Sequence, residues 1–429
     1  MSDSKVVRVE AGVYGGSFLT SEHGMTLPFV VATEMLEVST AGDLIRILEP
    51  SLERTEPRCP HFGTCGGCQY QMMTAREQLH VKQEVLRGQL KHAGVAVPVQ
   101  IEVVGGEAYG YRNRIRLRVE HVDEELRFGY NVRTTTEFLP ITTCPIAAPV
   151  LWATAEKLLA AAKLHDDVGF WMNAASEVEF FVNDNLTRMQ VTMLCTPRTK
   201  AKQGSLQRCF AALQQSATEI VGLAAIASDP RTGPTGRTLD AVGTAGLNYR
   251  VLDETYWISR GGFFQVNRFL LPELVKLVCK GRSGDVAWDL FAGVGLFSRV
   301  LAKSFMQVTA VEANPSAAGD LQVALKKIGT PHRAVAASTL DFLQKALVQR
   351  ERPALIVLDP PRAGAGLEAC ELLLQLGARD VIYVSCDPTT LARDLVVLQR
   401  EYHLRSLKLM DLFPQTFHME TIVVLERKG

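Results

Sequence analysis

The sequence of 429 residues lacks the two features that direct a chain to or through a membrane. No apolar run reaches the roughly 18 residues that a membrane-spanning helix needs. The first residues, MSDSKVVRVE, have neither the basic nor the apolar region of a signal peptide. We therefore expect a cytoplasmic protein that has no membrane partner.

A net charge is also missing from the chain. Lysine plus arginine and aspartate plus glutamate are equal at 46 each, so no global basic excess indicates a polyanionic partner. Nucleic-acid binding, if it occurs, must come from local patches. One candidate patch is 109–118 (YGYRNRIRLR), where four arginines lie along a predicted strand. Such a charged strand face either contacts phosphates or is simply solvated.

The cysteines do not form a pattern of disulfide pairs. Nine of them is an odd number, which in an apparently cytosolic chain argues for metal or catalytic roles of some. Cys59, Cys65 and Cys68 lie within ten residues of one another. The pair Gly66-Gly67 lets the backbone fold tightly there, so three thiolates can converge on one centre.

Patterning of the sequence predicts three domains. Residues 1–52 alternate short β-like runs with turn signals, which indicates a small β-barrel, complete or incomplete. Residues 53–258 form a mixed domain with a helix at 75–92, and its part at about 75–110 is a candidate for packing with the domain that follows. Residues 259–429 alternate strands with helices, which predicts a parallel, doubly wound α/β sheet.

A glycine-rich loop follows the first strand of this α/β domain. In 289–295 (DLFAGVG), Gly293 and Gly295 let the backbone pass close to a ligand. Glu312, nineteen residues after Gly293, ends the next predicted strand and is placed to accept hydrogen bonds from ribose hydroxyls. A nicotinamide site prefers a third glycine, where this chain has Ser298. The DLFxG form is usual in S-adenosylmethionine methyltransferases, so a methyl donor is favoured over a dinucleotide.

Two more predicted strands end in reactive side chains. Asp359 begins the rigid sequence DPPRAG, and its carboxylate either faces the same crevice or caps a turn. Cys386 lies between the apolar run 381–385 and an amphipathic helix. A cysteine in this position is either placed for chemistry or is a small buried hydrophobe. A helix that begins directly after it would help to hold a thiolate.

Four motifs together resemble a known family. They are Ser385-Cys386-Asp387-Pro388, Asp359-Pro360-Pro361-Arg362-Ala363-Gly364, Phe263-Phe264-Gln265-Val266-Asn267, and Cys59-x5-Cys65-x2-Cys68 with Cys144. This set is similar to the RNA uracil-C5 methyltransferases, the iron-sulfur enzymes that make 5-methyluridine in ribosomal RNA, and to their relatives that act on tRNA. The resemblance extends from about Glu56 to the C-terminus. It implies a C-terminal Rossmann-like methyltransferase domain, a central α+β iron-sulfur domain and a small N-terminal OB-like (TRAM-like) β domain.

The resemblance also implies covalent catalysis. Carbon 5 of uracil is a poor nucleophile, and a thiolate that adds to carbon 6 makes carbon 5 able to attack a sulfonium methyl group. Cys386 is implied as that nucleophile. Glu420 is implied as the base that then removes the proton from carbon 5, and His418 is its rival on chemical grounds.

Residues that bind the cofactor and the base follow from the same resemblance. Phe263 is expected on the side of the substrate base, because a flipped uracil needs an aromatic surface. Leu296 stands where related enzymes often carry asparagine, so that hydrogen bond to the cofactor is not expected. The implied ligands of S-adenosyl-L-methionine are Gln265, Phe291, Glu312 and Asp359.

A metal centre is expected at four cysteines. Cys59, Cys65, Cys68 and the distant Cys144 suit either a zinc site or a [4Fe-4S] cluster, because both accept tetrahedral sulfur donors. The resemblance points to the cluster. We expect it to shape the central domain and its RNA surface, since this methyl transfer needs no electron transfer.

The expected partner is RNA, bound by a monomer. Ribosomal 23S RNA is favoured over tRNA, because tRNA-acting relatives often lack the four-cysteine cluster. Two other interpretations stay open. One is methylation of cytosine C5 in RNA, which also needs a thiolate at carbon 6, and the other is an RNA-binding or iron-sulfur protein with a vestigial methyltransferase domain.

Overall fold

A computed structural model describes residues 4–97, 100–228, 236–329 and 331–429. These residues divide into two compact units, and the chain passes between them more than once. The first unit comprises the described residues of Met1–Ala108, Gly284–Phe291 and Ser338–Gly429. The second unit comprises those of Tyr109–Ser283 and Ala292–Ala337.

Strands and helices are numbered along the chain. The strands are β1 Ser4–Gly12, β2 Ser17–Thr20, β3 Thr26–Pro28, β4 Met35–Ser39, β5 Leu44–Glu49, β6 Glu102–Val104, β7 Arg114–Val122, β8 Glu125–Asn131, β9 Phe138–Pro140, β10 Ala175–Val182, β11 Met189–Cys195, β12 Ile220–Ala227, β13 Arg237–Gly243, β14 Gly246–Val251, β15 Glu254–Ser259, β16 Gly284–Leu290, β17 Phe305–Glu312, β18 Arg333–Ala336, β19 Leu355–Leu358, β20 Asp380–Ser385, β21 Tyr402–Met410 and β22 Glu420–Arg427. The helices are α1 Ala75–His92, α2 Pro149–Leu164, α3 Asp166–Ala174, α4 Ser205–Leu213, α5 Leu271–Cys279, α6 Ser298–Leu301, α7 Pro315–Ile328, α8 Thr339–Val348, α9 Leu367–Leu376 and α10 Pro388–Leu398. No helix in the described ranges combines the length and apolarity that crossing a bilayer requires.

The first unit begins with an antiparallel sheet in the order β3-β2-β1-β4-β5. In β1 the buried Val7 and Val9 alternate with exposed residues, and β2 and β4 also bury every second residue, so these strands have one apolar face. Within the described part of the chain, no pairing joins β3 to β5, so the sheet is open. A closed OB-like barrel is therefore not confirmed.

The other sheet of the first unit follows the order β16-β19-β20-β22-β21-β6. Strands β16, β19 and β20 are parallel, as the alternation of strands and helices predicts. Strand β22, however, is antiparallel to both β20 and β21. The prediction of a parallel sheet is wrong there because the connection 411–419 is too short for the crossover that two parallel neighbours need. This reversal brings the start of β22 to the edge where β20 ends.

Helix α1 packs within this same unit. Its side chain Lys82 is buried and lies 2.6 Å from the carboxylate of Asp411, which follows β21. Gln78 of the same helix donates to the side-chain oxygen of Gln415 at 3.1 Å. Strand β6, which follows α1, pairs in parallel with β21. The helix thus supports the segment that leads into β22.

The second unit has a mixed sheet in the order β13-β12-β11-β10-β7-β8-β9. Strands β10 and β11 are buried almost throughout, and helices α2, α3 and α4 pack against them around Trp171 and Phe180. The hairpin β14–β15 and the parallel pair β17–β18 belong to the same unit. Ser259 at the end of β15 donates to Asp320 of α7 at 2.7 Å, which fixes the hairpin on that helix.

Candidate active site

The turn between β20 and α10 presents Cys386. Strand β20 ends because Asp387 takes up the N-cap position, and its Oδ1 accepts hydrogen bonds from the backbone nitrogens of Thr389 and Thr390 at 3.0 Å each. Pro388 occupies the first helical position, where its missing N–H has no cost. The thiol therefore sits in a turn of fixed geometry at the amino end of a helix.

Strand register brings four of the predicted residues to one edge of the sheet. Leu290 of β16 pairs with Leu358 of β19, so Phe291 and Asp359 follow neighbouring strand ends. Ser385 of β20 pairs with Thr421 of β22, and this pairing sets Cys386 beside Glu420. Within the first unit, Phe291, Asp359, Cys386 and Glu420 therefore lie along the same edge.

Acidic groups surround the half-buried thiol. Burial, and after it the charges of Glu420, Asp359 and Asp387, together raise the pKa of Cys386 to about 12. The guanidinium of Arg362 acts in the opposite direction and lowers this pKa. At neutral pH the side chain is consequently a thiol, and added positive charge nearby would favour the thiolate.

Glu420 is the most deeply buried carboxylate of this group. It is the first residue of β22, is 2% exposed, and its Oε1 has no hydrogen-bond partner in the described part of the chain. Burial, together with the charge of Asp359, raises the pKa of Glu420 well above its usual range. A carboxylate of raised pKa is a stronger base, which suits removal of a proton from carbon near neutral pH.

His418 makes a different contact. Its ring nitrogens lie 3.2 and 3.3 Å from Nη2 of Arg362, and its ring centroid lies 4.1 Å from that of Phe417. The imidazole is thus placed beside the same arginine whose charge acts on the Cys386 thiol.

The segment 359–366, here called the DPPR loop, is fastened to α10. The hydroxyl of Thr390 donates to the carbonyl of Arg362 at 3.0 Å. Arg393 donates to the carbonyl of Ala363 at 2.8 Å. Because α10 also begins right after Cys386, the thiol and the loop that carries Asp359 share one rigid support.

Asp394 is the centre of this attachment, and sequence reasoning did not single it out. It is fully buried, and its Oδ2 accepts hydrogen bonds from the Tyr383 hydroxyl at 2.7 Å and from the backbone nitrogens of Ala365 and Gly366 at 2.9 and 3.3 Å. A Cβ on Gly364 would come within 2.6 Å of the same oxygen, so the loop fits closely against it. The only sequence signal was a polar residue inside an amphipathic helix.

Tyr14 is a second residue that sequence reasoning missed. It lies between β1 and β2, and its hydroxyl donates to Oδ2 of Asp387 at 2.7 Å. Its ring meets that of Phe417 edge-on, with centroids 5.5 Å apart. The N-terminal sheet therefore contributes a side chain to the surroundings of Cys386.

The second unit contains the predicted ribose site. Gly293 adopts φ 56°, and a Cβ there would meet nothing within 4 Å, so this backbone faces open space. Each oxygen of Glu312 accepts one backbone hydrogen bond, from Gly293 at 2.8 Å and from Asn314 at 2.6 Å. A carboxylate oxygen has a further lone pair, so ribose hydroxyls can still donate to it.

Phe263 and Gln265 lie in the same unit on the segment after β15. Phe263 is 70% exposed, whereas Phe264 beside it is buried against Tyr249, with ring centroids 4.9 Å apart. The backbone carbonyl of Gln265 accepts from Asn113 at 3.0 Å. Because Phe264 is buried and the backbone of Gln265 is hydrogen-bonded, the Phe263 ring stays exposed to solvent. An exposed aromatic ring of this kind is a surface on which a base can stack.

The four predicted metal ligands are divided between the two units. Backbone N–H groups donate to the sulfur of Cys59, Gly67 N donates to the sulfur of Cys65 at 3.4 Å, and the two thiols are within electrostatic reach of each other. Cys144 belongs to the second unit, where it accepts from Tyr130 at 3.9 Å. Over the described ranges, no group of three or more His, Cys, Asp or Glu side chains is arranged to hold a metal. The cluster is therefore not shown and stays a prediction.

The arginine-rich strand β7 is paired within its own sheet. Arg114 and Arg116 both form ion pairs with Glu179 of the neighbouring strand β10, at 3.4 and 2.9 Å. Arg118 pairs with Glu120. The alternation of the arginines does form one face, but glutamates compensate much of its charge.

Comparisons with known proteins agree with this fold. The family model described as tRNA (uracil-5-)-methyltransferase matches residues 74–428. The chain is 30% identical to an uncharacterized RNA methyltransferase of Aquifex aeolicus over 440 residues, covering 98% of each protein. It is 31% identical to the 23S rRNA (uracil(1939)-C(5))-methyltransferase RlmD of Acinetobacter baylyi, covering 90% of this chain and 83% of that protein. The enzyme of the same name from Vibrio parahaemolyticus is also 31% identical, with 92% and 88% covered.

A solved structure has the same fold. The Pyrococcus abyssi tRNA (uracil-54, C5)-methyltransferase in complex with S-adenosyl-L-homocysteine superimposes with a TM-score of 0.75 and 20% identity. The match covers 98% of this chain and 100% of that one. The chain therefore has the α/β fold of that methyltransferase.

Proposed function

This chain belongs to the tRNA (uracil-5-)-methyltransferase family, and from that premise we propose that it methylates carbon 5 of one uridine in 23S ribosomal RNA. It is an RNA (uracil-C5)-methyltransferase whose methyl donor is S-adenosyl-L-methionine. The choice of 23S RNA is supported by the names of relatives that are 31% identical over about nine tenths of the chain.

One juxtaposition supports the proposed mechanism most strongly. A thiol at the end of β20 lies beside a buried carboxylate at the start of β22, because Ser385 pairs with Thr421. Covalent addition to a uracil and removal of a proton from the adjacent carbon need a nucleophile and a base in such proximity.

Cys386 acts first in this proposal. Its sulfur forms a bond to carbon 6 of the uracil, while the thiol proton passes to a neighbouring carboxylate, and the ring becomes an enolate. The charge of Arg362 lowers the pKa of Cys386 and so favours the loss of this proton. When bound, S-adenosyl-L-methionine would supply an electrophilic methyl group to carbon 5; the bond from that methyl group to sulfur breaks, and S-adenosyl-L-homocysteine is the leaving group.

Glu420 acts second. After methyl transfer, carbon 5 carries both the methyl group and a proton, and the carboxylate of Glu420 removes that proton. The electron pair of the broken C–H bond forms the C5–C6 double bond, and the sulfur of Cys386 leaves as a thiolate. The raised pKa of Glu420 suits this role, because it makes the carboxylate a better proton acceptor.

The remaining predicted residues bind and orient the ligands. Glu312 would accept hydrogen bonds from ribose hydroxyls with lone pairs that Gly293 and Asn314 leave unused. The exposed ring of Phe263 would stack on the flipped base. Leu296 offers no side-chain hydrogen bond. The residues proposed to contact S-adenosyl-L-methionine are Gln265, Phe291, Glu312 and Asp359.

A [4Fe-4S] cluster at Cys59, Cys65, Cys68 and Cys144 is part of the proposal and rests on their spacing and on the family resemblance. The N–H groups directed at Cys59 and Cys65 are compatible with thiolate sulfur there. Iron, acid-labile sulfide and zinc should be measured in anaerobically purified protein and in a Cys68→Ser variant. We expect iron and sulfide in equal amounts in the wild-type protein and their loss in the variant. Zinc alone would identify a zinc site. The absence of both iron and zinc would refute a metal centre.

Mass-spectrometric mapping of 5-methyluridine in total RNA, from cells with and without the gene, tests the choice of RNA. We expect one 5-methyluridine of 23S RNA to disappear when the gene is deleted. Loss of a tRNA site instead would make this a tRNA enzyme, and loss of a 5-methylcytidine would indicate cytosine as the substrate.

The role of Cys386 is tested by Cys386→Ala, with Cys370→Ala as the matched control. Cys370 is buried in α9 and lies outside the proposed machinery. The first variant should show neither methylation nor a covalent RNA adduct, while the second should methylate normally. Methylation by Cys386→Ala would refute the covalent mechanism.

A further inference from the structure

Asp387 has more hydrogen-bond donors than a helix cap needs. Its Oδ1 already accepts from the backbone nitrogens of Thr389 and Thr390, which completes the cap of α10. The other oxygen, Oδ2, accepts from the hydroxyl of Tyr14 at 2.7 Å, although Tyr14 lies 373 residues earlier in the chain. The Thr390 hydroxyl also donates to Oδ1, at 3.4 Å, so the cap is complete without Tyr14 and this contact has a different role.

The loop that carries Tyr14 fits closely against the segment before Glu420. Gly16 has φ 93°, and a Cβ there would come within 2.9 Å of the side chain of Gln69 and 3.4 Å of Cβ of Phe417. The ring of Tyr14 itself packs edge-on against Phe417. Any larger residue at 16 would push the loop away, so this close packing holds the tyrosine hydroxyl at Asp387.

We propose that Tyr14 is a positioning residue of the active site: through Asp387, its hydroxyl fixes the turn that presents the Cys386 thiol. The inference rests on the proposed nucleophilic role of Cys386. It gives the N-terminal sheet a part in catalysis that is separate from any binding of RNA.

Two further observations support this role. The charges of Cys386 and Arg362 both act on the Tyr14 hydroxyl, so that hydroxyl lies within electrostatic reach of the reacting group. Burial and the hydrogen bond to Asp387 raise the pKa of Tyr14, so its hydroxyl stays protonated and continues to donate at neutral and moderately alkaline pH. A donor on Oδ2 also offsets part of the Asp387 charge, which otherwise disfavours the thiolate of Cys386.

The test is the reactivity of Cys386 in Tyr14→Phe, which removes the hydroxyl and keeps the ring. The rate of alkylation by iodoacetamide should be followed from pH 7 to 10 by mass spectrometry of the peptide that contains Cys386, so that the other cysteines do not interfere. We expect alkylation to slow by about threefold to tenfold at pH 8, the effect of losing part of one charge-assisted hydrogen bond, with the pH profile displaced upward. In RNA methylation, kcat should fall while KM for RNA changes little.

A double-mutant cycle shows whether Tyr14 acts through Asp387. In an Asp387→Asn background, Tyr14→Phe should slow alkylation much less than in the wild-type chain. The control is Tyr402→Phe, which also loses a buried hydroxyl, the donor to the carbonyl of Ala378. This control should lower the unfolding temperature and leave the alkylation profile unchanged.

Alkylation needs neither RNA nor a methyl donor, so its outcome is separate from that of the proposed function. An alkylation rate and pH profile in Tyr14→Phe equal to those of the wild type would overturn the positioning role. So would equal effects of Tyr14→Phe with and without Asp387→Asn. If alkylation behaves as expected but no RNA is methylated, the proposed function fails while the contact between Tyr14 and the thiol turn stands.

Discussion

Two charged clusters in this molecule are built in opposite ways. Around Cys386, the groups whose charges act on the thiol are three carboxylates, from Asp359, Asp387 and Glu420, and, among the described residues, a single cation, Arg362. Their charges do not balance. The deepest of them, Glu420, leaves one oxygen without a hydrogen bond in the described ranges.

Strand β7 shows the other arrangement. Arg114, Arg116 and Arg118 project from one face, and Glu179 and Glu120 pair with them. Arg114 also lies over the ring of Phe181, with its guanidinium carbon 4.2 Å from the centroid. Each of these arginines therefore has a glutamate partner, although three arginines share two glutamates.

The comparison distinguishes charges that stabilise the fold from charges that shift the pKa of reactive groups. An excess of buried acid costs folding free energy, and such an arrangement is typical of sites where the protein needs a shifted pKa. A cluster in which every arginine has a glutamate partner holds neighbouring strands together. Mutations should therefore have their largest effects on activity in the first cluster and their smallest in the second.

The largest effect is expected from Glu420→Gln. Without its base, the enzyme should form the covalent adduct between Cys386 and RNA but fail to release it, and turnover should fall by about 10²–10⁴-fold. Denaturing gel electrophoresis with labelled RNA would show the trapped species.

Glu371→Gln is the matched control, since the side chain of Glu371 is 46% exposed and pairs with Arg400 at the surface. It should turn over normally and trap no adduct. If Glu420→Gln itself turned over normally, another group such as His418 would have to be the base.

The next effect is expected from Asp394→Ala, which removes the acceptor of the Tyr383 hydroxyl and of the Gly366 backbone nitrogen and leaves the Ala365 nitrogen only its hydrogen bond to the Tyr383 oxygen. Losing this buried carboxylate should lower the free energy of unfolding by about 3 kcal/mol in urea titrations. Release of the DPPR loop should also reduce kcat by about 10-fold or more, because Asp359 and Arg362 lose their position beside the thiol.

Asp380→Ala serves for comparison, since Asp380 pairs with Arg379 near the surface. We expect a change of less than about 0.5 kcal/mol and unaltered kcat for it. Loss of stability in Asp394→Ala without any loss of kcat per folded molecule would show that the loop does not need this attachment.

The sequence predicted those parts that depend on local pattern. Helix α1 has the bounds 75–92 that its apolar spacing indicated, and Thr74 caps it by accepting from the nitrogen of Glu77. The position of Cys386 at a strand end was readable because the run before it is apolar and Asp387-Pro388 begins a helix.

Long-range contacts were not readable in this way. Tyr14 was not singled out from the sequence, because its partner lies 373 positions away. The arginines of β7 were seen to share a face, but their pairing with Glu179 depends on which strand becomes the neighbour. The burial of Glu420 depends on the antiparallel insertion of β22 between β20 and β21, which no local pattern indicates.

A smaller effect is expected in the pH dependence of stability. The pKa of Glu420 is higher in the folded than in the unfolded chain, so its contribution to stability is complete below the unfolded value of about 4.3 and is lost as pH rises through the folded value. Wild-type protein should therefore lose stability relative to Glu420→Gln between pH 5 and 8. The difference in the free energy of unfolding between the two proteins grows by about 1.4 kcal/mol for each pH unit of this range that lies between the unfolded and the folded pKa of Glu420.

Urea unfolding at pH 5, 6, 7 and 8 measures this difference. Glu371→Gln should track the wild type at every pH, because that carboxylate lies at the surface. Parallel curves for wild type and Glu420→Gln would mean that Glu420 titrates at its ordinary pKa, and the excess of buried acid at the thiol would then be smaller than the structure indicates.

The smallest effect is expected from Arg116→Gln in strand β7. Its side chain is 34% exposed and shares Glu179 with Arg114, so its loss should cost less than about 1 kcal/mol. Glu179→Gln should cost more, because it leaves the guanidinium of Arg114 buried without a carboxylate.

The salt dependence of RNA binding distinguishes a purely structural role of strand β7 from a role in binding phosphates. If Arg116 binds a phosphate, its replacement should lower the slope of log affinity against log salt concentration by about one, whereas a residue that forms only a cross-strand ion pair leaves that slope unchanged. We expect an unchanged slope in filter binding between 50 and 200 mM salt, values in the range where counterion release is usually measured. A lower slope would show that Arg116 exchanges Glu179 for a phosphate when RNA binds, and the strand would then be an RNA surface whose glutamates hold the arginines ready in its absence.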